Sequence, residues 1–239
     1  MLVRVTSLKL FVSTLGVLAA AAVLAGEALE LLPSKAIWFS PDGKAVATAG
    51  ADGVAMYREG AWQRVSHPVK GNPALLYVFN SAPRAGMPEP GIYRRLGWGQ
   101  QWRRVAAQRL EGVVGALAAH PREPKTVAAG TADGLFLSFD AGERFTLLDG
   151  KGPVSAVAFD RGGRRLHYVR ADATALHIVA LDGSPRSMVP LPPIGIDFVE
   201  SIAQSPVDED AFAIATLLNK VFLTANGGSS WRQIAGRTQ

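Results

Sequence analysis

VVGALAAHPREPKTVAAGTADGLFLSFDAGERF, residues 113 to 145, decides the architecture of this chain. An apolar run ends in a polar turn holding Pro121, a second run of small residues follows at Thr126–Ala129, and a third run leads to a Gly-containing hairpin that closes on the aromatic Phe145. Runs this short, cut by Pro and Gly, are strands and turns, not helices.

The same order recurs on both sides. AIWFSPDGKAVATAG starts at Ala36 and SIAQSPVDEDAFAIATLLNKVFLTANGGSSW at Ser201, with Pro41 and Pro206 in the place of Pro121 and with Ala45–Ala49 and Ala211–Ala215 as the second run. Weaker copies are HPVKGNPALLYVFN near His67 with GIYRRLGWGQQWRRV from Gly91, and VSAVAFDRGGRRLHYV from Val154. Short strands with a repeat of roughly forty residues are the pattern of propeller blades, four-stranded antiparallel sheets whose uncovered apolar faces must pack side by side in a ring. The expected fold is all-β: a propeller of about five four-stranded blades over residues 33–239, with a two-sheet sandwich as the alternative. One blade is expected to be thin or incomplete, because Pro41 and Pro68 stand too close for a full unit. Pro68 and Pro121 stand too far apart, which makes Ser81–Pro90 an inserted loop.

Ser138, Asp140, Gly142 and Phe145 resemble the Asp-box, Ser-x-Asp-x-Gly-x-x-Trp, of the bacterial-neuraminidase repeat, and Thr224, Asn226, Gly228 and Trp231 are a softened second copy. The residues themselves give the box a structural job. A short Asp or Asn accepts hydrogen bonds from turn N–H groups, Gly supplies a positive φ, and the aromatic packs between sheets. The family resembled includes sialidases, sortilin-like receptors and the photosystem II assembly-factor propellers, so the resemblance implies a propeller without naming a function.

A sialidase-like member would need clustered arginines, a tyrosine nucleophile paired with a carboxylate, and an acid/base Asp. The tyrosines are Tyr57, Tyr77, Tyr93 and Tyr168, none in an evident catalytic setting, and the Arg-Ile-Pro segment of that class is missing. Asp42, Asp52, Asp133 and Asp172 fall in turns beside Gly or Ala, where they form the turn. His67 and His120 each precede a proline in an equivalent turn, and His167 and His177 lie in strand-like runs without carboxylates at ligand spacing. There is no phosphate loop, no nucleophile elbow and no cysteine, so the reading is of no enzyme, no cofactor and no metal.

The N-terminus carries Arg4 and Lys9 ahead of an uncharged stretch, Leu10–Gly26, which Glu27 ends. That pattern reads as one transmembrane signal-anchor helix within residues 1–32, buried through Leu10, Phe11, Leu15, Leu18, Val23 and Leu24, or as a signal peptide cut near Ala25. Positive charge before the stretch places the remainder outside the cytoplasm. The expected location is the bacterial inner membrane, single-pass, with the C-terminal domain in the periplasm.

Net charge is +5, and export argues against nucleic acid as the partner. The basic residues concentrate between Arg84 and Lys125, interleaved with Tyr93, Trp98 and Trp102. Arg with Trp is the mixture enriched at protein interfaces, which singles out Arg94, Arg95, Trp98, Arg103 and Arg104 as a docking face. The functional expectation is a membrane-anchored propeller that binds protein subunits of a larger membrane complex as a scaffold, assembly factor or accessory subunit. The alternative is a glycan-binding protein or a degenerate sialidase-like glycosidase.

Overall fold

Segments of three to six residues pair, all but the first with their chain neighbours, and the result is a set of antiparallel sheets. A computed structural model describes residues 9–11, 36–40, 42–50, 53–65, 76–80, 91–95, 101–105, 110, 113–172 and 174–236. The described residues form twenty strands in five four-stranded sheets, the blades of a β-propeller. Among them no helix is long and apolar enough to cross a membrane.

β1 (Lys9–Phe11) stands apart from its neighbours in sequence. Blade 1 is β2 (Ala36–Phe39), β3 (Ala45–Gly50), β4 (Gly53–Arg58) and β5 (Ala61–Val65). Blade 2 joins β1 to β6 (Leu76–Asn80), β7 (Gly91–Arg95) and β8 (Arg103–Val105). Blade 3 is β9 (Val114–Ala119), β10 (Val127–Thr131), β11 (Gly134–Ser138) and β12 (Thr146–Asp149). Blade 4 is β13 (Val154–Phe159), β14 (Arg165–Arg170), β15 (Ala175–Ala180) and β16 (Ser187–Pro190). Blade 5 is β17 (Val199–Gln204), β18 (Phe212–Thr216), β19 (Val221–Thr224) and β20 (Arg232–Ala235).

Each blade hides its apolar faces against the next. Ile92 and Val105 of blade 2 meet Val127 and Phe145 of blade 3, and Ala128 and Leu135 of blade 3 meet Leu166 and Tyr168 of blade 4. Val169 and Leu176 of blade 4 meet Phe212 and Ile214 of blade 5. Blade 5 then turns back onto blade 1: Ala213 and Val221 pack on Ile37 and Val46, Ile37 N–H donates to Ser201 Oγ at 3.0 Å, and Trp62 Nε1 donates to the Ile234 carbonyl at 3.0 Å. That return contact seats blade 1 beside blade 5, so the contacts run from blade 2 through blades 3, 4 and 5 to blade 1.

Two irregularities repeat. The inner strands of blades 3, 4 and 5 each skip their second residue, Gly115, Ser155 or Glu200, in pairing with the next strand. The outer strands β12 and β20 skip Leu148 and Ile234 in the same way. Such bulges add local twist, as the splay of strands around a ring requires.

The irregular unit is blade 2, whose three consecutive strands take their inner partner from the N-terminus. Lys9, Leu10 and Phe11 pair antiparallel with Phe79, Val78 and Tyr77. Leu10 and Phe11 are therefore extended here, a correction to the helix expected from the apolar stretch: the open edge of β6 offers their backbone the hydrogen bonds that a helix would otherwise supply. The other anchor residues, Leu15, Leu18, Val23 and Leu24, lie outside the described residues, as does the loop Ser81–Pro90 between β6 and β7.

Candidate functional site

The hairpins between the third and fourth strands of blades 3 and 5 are built alike. In blade 3, Ser138 Oγ donates to Asp140 Oδ1 at 2.9 Å and accepts from the N–H groups of Asp140 at 3.3 Å and Gly142 at 2.9 Å, while Arg144 N–H donates to Asp140 Oδ1 at 2.9 Å. In blade 5, Thr224 Oγ1 donates to Asn226 Oδ1 at 2.9 Å and accepts from Asn226 N–H at 3.3 Å and Gly228 N–H at 3.1 Å, while Ser230 N–H donates to Asn226 Oδ1 at 2.9 Å. The four bonds match one for one, so Thr and Asn do the work of Ser and Asp.

Each hairpin also clamps the blade before it. Gly142 lies over Val105 of β8 and Gly228 over Val189 of β16, and Phe145 packs in the seam with Ile92 and Val105. Trp231 Nε1 donates to the Pro190 carbonyl at 2.8 Å. Burial raises the Asp140 carboxyl, but bonds from Arg144 and Ser138 outweigh it and the net shift is downward. Asp140→Ala is expected to cost about 1–2 kcal/mol through the lost turn bonds, the exposed ion pair with Arg144 adding little. Thermal unfolding checks this, and an unchanged midpoint would contradict a structural role.

The basic unit of blade 2 faces the first of these hairpins. Arg94 and Arg103 are directly opposite one another on β7 and β8. Both donate to Glu143 Oε1, at 2.7 and 2.8 Å, and Arg94 also donates to the Ala141 carbonyl at 2.7 Å. Arg94 is mostly covered by these contacts, whereas the Arg103 side chain is 67% exposed. Arg104 turns to the other side of β8 and lies over Gly91, and Trp102 packs on Tyr93. Arg95 has its backbone in β7, its side chain outside the described residues, and Trp98 lies outside them as well. The hairpin itself presents Arg144, 82% exposed, and Phe139, 64% exposed. Sequence reading missed Glu143 and Phe139, because both occupy unspecified positions of the Asp-box pattern, and Glu143 gains its setting only from Arg94 and Arg103 of the neighbouring blade.

A second polar cluster was also illegible. Tyr168 donates to Asp149 Oδ2, and Arg186 Nη1 donates to the same oxygen at 3.0 Å. His177 stacks on Tyr168 with ring centroids 5.0 Å apart. Tyr168 is only 1% exposed, and burial together with the Asp149 carboxylate pushes its hydroxyl up to about 12. The pair joins β12 of blade 3 to β14 of blade 4. Among the described residues no group of three or more His, Cys, Asp or Glu side chains could hold a metal ion.

No family model matches this sequence, and no curated protein matches it. Solved structures share its shape. An ancestral GH74 enzyme is 17% identical over 69% of this chain and 23% of that one, with a TM-score of 0.53. A GH74 enzyme of Niastella koreensis is 14% identical over 84% of this chain and 38% of that one, with a TM-score of 0.50. YCF48 bound to a D1 peptide is 11% identical over 84% of this chain and 82% of that one, with a TM-score of 0.41. The chain thus spans well under half the length of either GH74 enzyme. At these identities the likeness concerns the propeller fold alone.

Proposed function

We propose that this chain is a non-enzymatic, extracytoplasmic propeller of the Asp-box type, tethered to the membrane by its N-terminal apolar stretch, that docks onto protein subunits of a membrane complex. The observation that carries the reading is the exposure of Arg103 on β8 together with that of Arg144 and Phe139 on the neighbouring blade 3 hairpin, which the bonds to Ser138 and Asp140 brace. Rigid presentation of Arg and aromatic side chains suits an acidic protein surface and keeps the entropic cost of binding low.

The absence of catalysis is supported by Tyr168. A tyrosine nucleophile needs an accessible and readily ionised hydroxyl, and this one is sealed between blades with its proton held more firmly than usual. Purification from detergent-solubilised membranes tests the docking reading. Arg103→Glu combined with Phe139→Ala is expected to weaken association at least about tenfold while leaving the thermal midpoint nearly unchanged. Undiminished recovery of every partner places the docking face elsewhere.

A further inference from the structure

In blades 1, 3, 4 and 5 the second strand buries one residue at the second ladder pair beyond the turn that joins the first two strands. That pair is Ala47 opposite Trp38 in blade 1, Ala128 opposite Ala118 in blade 3, and Ala213 opposite Ala203 in blade 5. In blade 4 it is His167 opposite Ala158. The three alanines and the histidine are all buried, so the position takes a methyl group in three blades and an imidazole in one. Ring geometry alone does not call for histidine.

His167 has no exposed surface. Its ring stands edge-on to Phe212 of blade 5, with centroids 5.2 Å apart at 87°, and neither ring nitrogen has a hydrogen-bond partner. Its ladder neighbours are Ala158 on β13 and Ile178 on β15, both without charge. The charged groups near the seam are Asp160, whose carboxylate favours the imidazolium, and Arg165, which opposes it and is itself held by Asp160 and Glu209 of blade 5. His177 lies on β15 but stacks on Tyr168 at the blade 3 side. Nothing in the closed seam accepts a hydrogen bond from a protonated His167, whereas water would do so in an opened one.

We propose that His167 makes the seam between blades 4 and 5 acid-labile, so that mild acidification favours a form in which blade 5 has come away from blade 4. Burial holds the imidazole down to about 4, against 6.5 for the free group. The opened state therefore binds the proton first, and the stability contributed by the neutral seam is present above 6.5 and lost as pH falls through that value toward 4. The inference stands apart from the docking reading, since it requires neither a partner nor a membrane.

The test uses the full chain at pH 7 and pH 5. Urea unfolding of the wild type is expected to shift toward the open state by about 20-fold between the two, after which little of the shift survives in His167→Ala, the residue three other blades carry. Amide exchange corrected for intrinsic rates is expected to show the added opening first in β17 and β18. An identical pH dependence in the two proteins overturns the proposal. Should the variant fold poorly, NMR titration of His167 in the wild type decides instead: a midpoint below 5 supports the seam and one near 6.5 overturns it.

Discussion

Gly134→Ala is expected to destabilise the protein by about 3–5 kcal/mol, the sum of backbone strain and a clash that no side-chain rotation relieves. Gly134 sits at φ 139°, and a Cβ built there lies 2.1 Å from the Asp149 carbonyl oxygen and 3.0 Å from Gly150 Cα. Both obstacles are backbone, at the last residue of β12 and the one after it, so the end of β12 would have to move away from β11. Gly60→Ala is the matched control: φ is 87°, but nothing lies within 4 Å, and strain alone at about 1 kcal/mol is expected. Urea unfolding of both variants separates clash from strain. Equal losses would mean that β12 yields freely and that the blade is looser than its packing implies.

The movement of β12 matters because of what it carries. Asp149→Ala is expected to cost about 3 kcal/mol, most of it from leaving the buried Tyr168 hydroxyl without an acceptor and the rest from the loss of Arg186. Arg186 is half exposed, which limits its share. Adding Tyr168→Phe to Asp149→Ala removes the orphaned hydroxyl and is expected to restore about 1–2 kcal/mol. A double variant no more stable than the single one would assign the loss to packing instead. Burial raises the Asp149 carboxyl, but Tyr168 and Arg186 outweigh it, so its net shift is downward. The stability it contributes is present above 3.8 and disappears as pH falls through the lower folded value, below the window in which His167 acts.

The propeller was legible because its signals are local. Proline turns, runs of small residues and the fixed two- and four-residue reach from Ser138 or Thr224 to the backbone all lie within one blade. Phe145 packs on Ile92 and Val105, and Trp231 donates to the Pro190 carbonyl. What depended on a neighbouring blade was invisible: Glu143 gathering Arg94 and Arg103, Asp149 meeting Tyr168, and His167 standing where other blades have alanine. β1 escaped for another reason. Three residues at the head of an uninterrupted apolar stretch show no alternation, and the edge of β6 that pairs with them lies 66 residues or more further along the chain.

The return contact between blades 5 and 1 also sets a timetable. Ile37 and Ser201 are 164 residues apart, and Trp62 and Ile234 are 172 apart. At typical rates of synthesis, roughly 10–30 s separate the appearance of one partner from that of the other. Throughout that interval the flank of blade 1 formed by Ile37 and Val46 has no complement, and its strands are free to recruit other chains. Closure is thus a late, high-contact-order event, slow for topological reasons rather than for want of stability. Nascent chains halted before residue 199 should consequently be the form that holdase chaperones capture most persistently, since every blade but the one that covers blade 1 is already present.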